Sequence, residues 1–291
     1  MEVGQSSCSH GNDQILLDLD NEVEKCGGTL VGKILASKNL NVPVVVSMIK
    51  KGWQLDEDVE VLDLDRNQLI FLFRFQRASD YARIIRGRPW SIQGFLLNLQ
   101  VWNDFMVLKD VRFDEEPFWI QFHGLPLEAF NDANAKKLGN VVGEVVLYEQ
   151  PKREGRLERS YIRVRSLVSL NKPLVHGFWV PRKNLNPAWI SVKYERLPNF
   201  CYKCGRLGHD SRRCLELTID GQEVEIEKKF GSWISVPAVR TIDEAVVICN
   251  QDWCEAPIIK KEHIPKNQCR SWTSDSPELA RDILQPRYQP R

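Results

Sequence analysis

One stretch decides how its part of the chain folds: Cys201-Tyr202-Lys203-Cys204-Gly205-Arg206-Leu207-Gly208-His209-Asp210-Ser211-Arg212-Arg213-Cys214. It spaces three cysteines and one histidine as C-x2-C-x4-H-x4-C. A zinc ion prefers four sulfur or nitrogen ligands in a tetrahedron, and three thiolates with one imidazole complete that set. The spacing therefore predicts a zinc knuckle with one structural Zn²⁺ ion, whose ligands are Cys201, Cys204, His209 and Cys214.

The residues between these ligands indicate what such a loop contacts. So short a segment cannot bury a core, so metal binding must supply its folding free energy, about 10 kcal/mol or more in small zinc sites. Aromatic and cationic side chains on such a loop suit stacking on an unpaired base and contact with phosphates. The candidate nucleic-acid contacts are Tyr202, Lys203, Arg206, Leu207, Arg212 and Arg213. The alternative is a knuckle that only staples a turn or docks a protein.

The charge of the chain is uneven. The whole chain has a formal net charge of +1, yet residues 151–214 contain fifteen Lys and Arg and four Asp and Glu, a local net charge of +11. The remaining residues are therefore acidic on balance. A basic middle that ends in a knuckle predicts binding to a polyanion, with a merely solvated basic surface as the alternative.

Upstream, residues 27–112 have the pattern of a β-α-β-β-α-β module, the split βαβ arrangement of ferredoxin-like and RRM folds. The predicted elements are a strand over 28–36, a helix over 42–53 capped by Asn41, strands over 59–64 and 68–75, a helix from a Ser79 cap to Arg86, and a strand over 94–102. Alternation places Phe71, Phe73 and Phe75 on one face of a strand. Because phenylalanine is usually buried, we expect these three rings in the core and not in base stacking.

A second basic, strand-rich module is predicted over residues 117–197, after an acidic linker at 114–117. The predicted elements are a strand over 118–123, a helix over about 127–138, and strands over 144–149, 160–170, 178–180 and 189–194. The module resembles the first one, with the second helix lost or replaced.

Alternation in this second module separates a buried face from an open one. The side chains expected to face the helix are Ile162, Val164, Ile190, Val192 and Tyr194, and those expected on the open side are Tyr161, Arg163, Arg165, Ser191 and Lys193. An open sheet face that carries Tyr and Arg is typical of RNA-binding sheets. Four of these residues are therefore further candidate nucleic-acid contacts: Tyr161, Arg163, Arg165 and Lys193. A solvated sheet face remains the alternative.

The whole chain of 291 residues thus predicts an α+β protein with two modules and a small zinc knuckle. The predicted domains are a disordered acidic tail at 1–26, an RRM-like domain at 27–112, the second module at 117–197, the knuckle at 198–216, a hairpin and Trp motif at 217–236, and a disordered tail at 237–291. The hairpin is predicted from Asp220-Gly221, which favours a tight turn.

Several classes of protein are disfavoured. No run approaches the ~18 apolar residues of a membrane span, and the N-terminus lacks a secretory pattern. The five cysteines outside the knuckle are scattered, which favours a reducing, intracellular location in the nucleus or cytoplasm. Among the C-terminal residues, Cys249, Cys254, His263 and Cys269 match no familiar metal spacing. No catalytic motif occurs, and a filled zinc shell leaves no position for an activated water, so we expect neither an enzyme nor a small-molecule substrate.

Three motifs and the N-terminal module of the sequence resemble those of a known family. The motifs are Phe118-Trp119-Ile120-Gln121-Phe122-His123-Gly124-Leu125-Pro126, Leu197-Pro198-Asn199-Phe200 leading into the knuckle, and Phe230-Gly231-Ser232-Trp233. With the RRM-like module, they resemble plant retrotransposon-derived proteins that pair a plant domain of unknown function with a CCHC-type zinc knuckle.

The likeness covers roughly residues 27 to 236, and Ser232 stands where relatives often have Pro. It implies a LINE-type gag-like or ORF1-like protein, or a fragment of such an element. The implied partner is single-stranded nucleic acid, RNA or DNA. Self-association and binding to other proteins stay open, as does an interaction module with no nucleic-acid role.

Overall fold

The computed structural model describes residues 27–55, 58–104, 106–215, 229–241 and 246–247. The predictions for the acidic tail at 1–26, the hairpin around Asp220-Gly221 and the cysteines from Cys249 onward lie outside the described residues. Within the described ranges, no helix is both long and apolar enough to cross a membrane. The α+β class is confirmed, since the part of the chain that the structure describes contains three α-helices among many strands.

The first sheet is built from the N-terminal part of the chain. Its elements are β1 Gly28–Leu35, α1 Val42–Trp53, β2 Val59–Asp65, β3 Ile70–Phe75, α2 Ala78–Arg86, β4 Trp90–Ile92 and β5 Phe95–Val101. The strands lie in the order β2-β3-β1-β5-β4. The predicted alternation of strands and helices is therefore present, with the short strand β4 added.

Local sequence explains the start and the buried face of α1. The Asn41 side chain accepts a hydrogen bond from the Val44 N–H at 3.3 Å, which satisfies one of the free donors of the first turn. Val45, Ile49 and Trp53 are buried at intervals of four residues, so one stripe of the helix faces the sheet. The Asn41 cap is confirmed.

The three phenylalanines of β3 are buried, as predicted. Phe71, Phe73 and Phe75 are inaccessible to solvent, and the Trp53 ring packs edge-on against Phe73 at 5.0 Å. The predicted cap of α2 is wrong. Arg77 occupies the N-cap position without a side-chain cap, and Ser79 lies exposed in the first turn.

The second sheet follows directly. Its elements are β6 Glu115–His123, α3 Asp132–Val142, β7 Gly143–Tyr148, β8 Lys152–Arg153, β9 Arg156–Leu157, β10 Ile162–Ser169, β11 Gly177–Arg182, β12 Leu185–Glu195, β13 Ser235–Val236 and β14 Val246–Val247. The strand order is β11-β12-β6-β10-β7-β14, with β13 beside β12, while β8 and β9 pair with each other.

The two sheets share one arrangement. Read from the β7 side, the second sheet has the order β7-β10-β6-β12-β11. This corresponds strand by strand to β2-β3-β1-β5-β4 of the first sheet. The described connection between β10 and β11 contains no helix, where the first sheet has α2. This supports the prediction of a degenerate second copy that lost its second helix.

Three expectations for this part of the chain are corrected. The segment predicted as one helix over 127–138 is a 3₁₀ turn at Leu127–Ala129 followed by α3. The break occurs because the Asn131 side chain accepts the Asn134 N–H at 2.9 Å and caps a new helix. The acidic linker is part of β6, where Glu116 is fully buried and pairs with Val168 of β10.

The third correction concerns the C-terminal tail. Residues 237–241 were expected to be disordered, but they lie against the second sheet. The Arg163 side chain donates to the Val239 carbonyl at 3.2 Å and to the Thr241 hydroxyl at 3.2 Å. The buried face is as predicted: Ile162, Val164, Ile190, Val192 and Tyr194 are all inaccessible to solvent.

Candidate zinc centre and nucleic-acid interface

The four predicted zinc ligands come together. The ligand atoms of Cys201, Cys204, His209 and Cys214 lie within 4.8 Å of one another, and the Cys204 Sγ is 3.4 Å from the His209 Nε2. A tetrahedral ion with Zn–S near 2.3 Å and Zn–N near 2.0 Å separates its ligand atoms by roughly 3.5–4 Å. The donor set and its spacing therefore fit one structural zinc ion.

Backbone hydrogen bonds shape the turn that presents these ligands. The Cys201 carbonyl accepts the Gly205 N–H at 2.8 Å, and the Cys201 N–H donates to the Arg206 carbonyl at 2.8 Å. Gly205 and Gly208 have φ values of +73° and +91°, in the left-handed region that glycine enters without a steric penalty. The turn therefore depends on both inner glycines as well as on the ligands.

The loop shifts the pKa values of the Cys201 and Cys204 thiols in opposite directions. Burial raises the pKa of the Cys201 thiol, but hydrogen bonds from the Cys204 and Lys203 backbone amides outweigh it and lower the pKa overall. Burial raises the pKa of Cys204 to about 12, and the neighbouring Cys201 adds to the shift. A bound Zn²⁺ reverses this, because its charge deprotonates a coordinating thiol.

The knuckle is docked onto the rest of the fold on one side. The Gly205 carbonyl accepts the Leu174 N–H at 2.9 Å, and a Cβ on Gly205 would lie 2.3 Å from the Phe230 ring. The Arg213 Nη1 donates to the Ser37 carbonyl of the first module at 2.8 Å. Leu207 is buried in the core of the second sheet, so its predicted place at a nucleic-acid surface is wrong.

The other side of the knuckle is open. Tyr202, Lys203 and Arg212 are exposed, and the Tyr202 ring lies beside the Phe200 ring at a centroid distance of 4.9 Å. Arg213 is also exposed, but it donates to the first module. Arg206 is half-buried. Three cationic or aromatic side chains are thus exposed on the open side of a loop that the zinc ligands close.

Arg163 does not lie on an open face, contrary to the prediction. Its guanidinium donates to both carboxylate oxygens of Glu195 at 2.8 and 2.7 Å and to Glu149 at 2.7 Å. It also lies 3.7 Å from the centre of the Trp119 ring. The alternation put Arg163 on the correct side of the sheet, but residues 237–241 and two carboxylates enclose it there. Glu149 and Glu195 carried no sequence signal for this role, because the pairing is long-range.

Arg165 is half-buried against the first module. It donates to the Arg86 carbonyl at 3.2 Å and the Arg88 carbonyl at 3.0 Å, and burial lowers its pKa to about 9. Beside it, burial raises the pKa of Glu116 to about 8, although Arg88 and Arg165 act in the opposite direction. Arg165 is therefore half-buried and not fully open as expected, and its hydrogen bonds join the second sheet to the first module.

Tyr161 and Lys193 remain partly accessible. The Tyr161 ring lies 4.7 Å from the His123 ring, whose Nε2 is 3.0 Å from the Gln121 Oε1. Burial and the nearby Lys193 ammonium lower the pKa of His123. Around Arg163 and Arg165, the open part of the sheet face is thus smaller than predicted.

Comparison with known proteins locates two similar regions. Residues 22–109 match a family described as a domain of unknown function, DUF4283. Residues 170–216 match a zinc knuckle family of the CCHC type, and this match includes β11 and β12 as well as the ligands. This pairing is found in plant retrotransposon-like proteins.

One curated relative is an uncharacterized protein of Arabidopsis thaliana. It is 23% identical over 138 residues, which cover 46% of this chain and 42% of the relative. The matching region therefore spans less than half of the relative's length. The two regional matches and the Cys₃His cluster agree on a zinc knuckle joined to an uncharacterized domain.

Proposed function

We propose that this protein binds single-stranded RNA or DNA through its zinc knuckle and performs no catalysis. The observation that carries the proposal is the open side of the knuckle, where Tyr202, Lys203 and Arg212 are exposed beside a Cys₃His cluster. Rings stack on unpaired bases of any sequence, and cations contact the phosphates. Three thiolates and an imidazole complete the zinc shell, which supports a structural ion.

The zinc ion would cross-link the loop, and the exposed side chains of the loop would contact the nucleic acid. The Tyr202 side chain, held by Phe200, offers a ring face that needs little further ordering. Lys203 follows it directly, between the ligands Cys201 and Cys204, and Arg212 lies between His209 and Cys214. Loss of the metal would therefore remove the geometry of the contacts without changing their chemistry.

The remaining parts fit a gag-like or ORF1-like protein of retroelement origin, which is part of the proposal. The strand order β2-β3-β1-β5 supports a ferredoxin-like, RRM-like first module. Because the rings of β3 are buried, we assign this module a scaffolding role. The pairing of the two matched regions, which occurs in plant retrotransposon-like proteins, supports the origin.

Binding at several salt concentrations tests the function. Fluorescence anisotropy with a labelled single-stranded RNA of mixed sequence should give a log–log salt slope of about −0.7 for each phosphate contacted. Removing zinc with a chelator, or substituting Cys204→Ser, should abolish most of the binding. An affinity that changes neither with salt concentration nor on addition of a chelator would overturn the proposal.

Charge substitutions on the knuckle sharpen the test. Lys203→Ala and Arg212→Ala should each weaken binding and reduce the salt slope by about 0.7, because each removes one phosphate contact. Arg66→Ala is the matched control, since this side chain is 75% exposed on the first module and pairs with Asp63. Equal losses in all three variants would indicate a non-specific charge effect. Partner capture that survives nuclease, without oligonucleotide binding, would indicate protein docking instead.

A further inference from the structure

A pair of exposed tryptophans lies on the hairpin formed by β11 and β12. Trp179 and Trp189 are direct cross-strand neighbours, with ring centroids 5.1 Å apart and planes at 64°. Their exposures are 65% and 37%. Tryptophan is buried on average, so two neighbouring exposed indoles need an explanation other than core packing.

The core does not need these two rings. Alternation sends Phe178 inward, where its ring lies 6.4 Å from Phe122, and leaves Trp179 on the opposite face. On β12, Ile190 is fully buried while Trp189 faces outward. The pair therefore stands on the outer face of the sheet, at its β11 edge.

Further rings connect this pair to the knuckle. The Trp189 indole lies over Gly177, where a Cβ would come within 2.3 Å of it, and 5.5 Å from the His176 ring. His176 is in turn 5.4 Å from Phe230, whose ring packs against Gly205 of the knuckle. A continuous row of rings thus runs from the hairpin to the zinc loop.

The surroundings of the pair are basic. Within this hairpin, residues 177–194 contain three Lys and Arg and no Asp or Glu. Arg182 and Lys183 lie exposed at the tip of the hairpin, and Lys193 follows Trp189 on the same face. Near the other end of the row, burial and the Lys229 ammonium lower the pKa of His176. A surface of rings with cationic side chains beside it complements a polyanion that also carries planar groups.

We propose that Trp179 and Trp189 form a stacking platform for the unpaired bases of a single strand that continues from the knuckle onto the β11–β12 hairpin. The proposal rests on the function proposed above and extends the bound surface beyond the knuckle. Stacking on aromatic rings is tolerant of base identity, and the flanking cations hold the backbone. The hairpin therefore adds affinity without sequence preference.

Trp179→Ala is the decisive variant, because this side chain is the more exposed of the two. Removing one stacking contact should weaken binding of single-stranded RNA and single-stranded DNA by about tenfold. The salt slope should stay at the wild-type value, since no phosphate contact is lost. Trp179→Phe should retain most of the affinity. Leu64→Ala is the control, because this apolar side chain is 41% exposed and lies on β2 of the first sheet.

An oligonucleotide of the same length with abasic sites in place of bases separates stacking from charge. Wild type and Trp179→Ala should bind this probe equally, because its phosphates remain but its rings are gone. If wild type binds ordinary single strands with the expected salt and zinc dependence and Trp179→Ala does so equally well, only the platform is overturned. If wild type binds no single strand, both proposals fail. Zinc content and cooperative unfolding of each variant show that it is folded.

Discussion

Arg163 is surrounded by partners that a single substitution would leave uncompensated. It bridges Glu149 and Glu195 beneath residues 237–241, and all three charged side chains are almost inaccessible to solvent. The free-energy cost of removing such charged groups from water is offset only while every partner is present. The Arg163 side chain, which the sequence predicted to contact nucleic acid, thus stabilises the fold instead.

Replacing this arginine tests that framework role. Arg163→Ala should lower the free energy of unfolding by about 3–5 kcal/mol, because it leaves buried carboxylates unpaired. Chemical denaturation measures the change. The matched control is Arg74→Ala, which breaks the exposed Arg74–Glu60 pair at 3.3 Å and should cost less than about 1 kcal/mol. Similar losses in the two variants would contradict the framework role.

Glu116 should make stability depend on pH. Burial raises its pKa from the ordinary 4.5 to about 8, so the folded protein holds this proton more tightly than the unfolded chain does. The contribution to stability is therefore complete below pH 4.5 and is lost as the pH rises through about 8. Glu116→Gln, which is neutral at every pH, should remove this part of the pH dependence.

Denaturation curves recorded at several pH values between these limits would measure the effect of Glu116→Gln. The exposed neighbour Glu115 provides the control, because Glu115→Gln leaves the buried carboxyl in place. The control should keep the wild-type loss of stability toward alkaline pH. An unchanged pH profile in Glu116→Gln would show that this carboxyl is not the group responsible.

Among the secondary-structure elements, the N-caps of the helices show how well local sequence predicts where a helix begins. Asn41 was predicted as a cap and accepts the Val44 N–H, and Asn131 performs the same role for α3 without having been predicted. Ser79 was predicted as a cap but lies inside α2. Capping residues are common at helix starts. Which of several neighbouring residues occupies the N-cap depends on the residue at which the preceding strand or turn ends.

These caps can be compared directly. Asn41→Ala should destabilise the protein by about 1 kcal/mol, because one donor of the first turn loses its partner. Ser79→Ala should be near neutral, since its exposed side chain makes no cap hydrogen bond. The two variants are measured by thermal or chemical denaturation side by side. A larger loss for Ser79→Ala than for Asn41→Ala would reverse the assignment.

For the whole molecule, the two sheets and the knuckle form one connected unit. The Arg196 Nη1 donates to the Gly87 carbonyl at 2.9 Å, and the Asn199 N–H donates to the Gly94 carbonyl at 2.7 Å. From the other direction, the Asn98 side chain donates to the Glu115 carbonyl at 2.7 Å. These contacts pass between the first sheet and the residues around the second.

This connection predicts shared stability. With zinc bound, β3 and β10 should lose hydrogen-exchange protection at the same denaturant concentration, because neither sheet opens independently. A chelator should lower that concentration for both sheets, since Arg213 and Leu207 tie the knuckle to each. Two separate transitions, or a chelator effect confined to the knuckle, would contradict this prediction.

The sequence by itself determined the zinc ligands, the α1 helix and the buried faces of the strands. Each depends on short spacing: ligand intervals, a cap next to its helix, or alternation along one strand. Tertiary structure alone decided what covers the outward side chains. Arg163 and Tyr161 share a strand face by period, but only residues 237–241 and distant carboxylates make the first buried. Exposure is set by long-range packing, so the open Trp179–Trp189 pair became visible only in the folded chain.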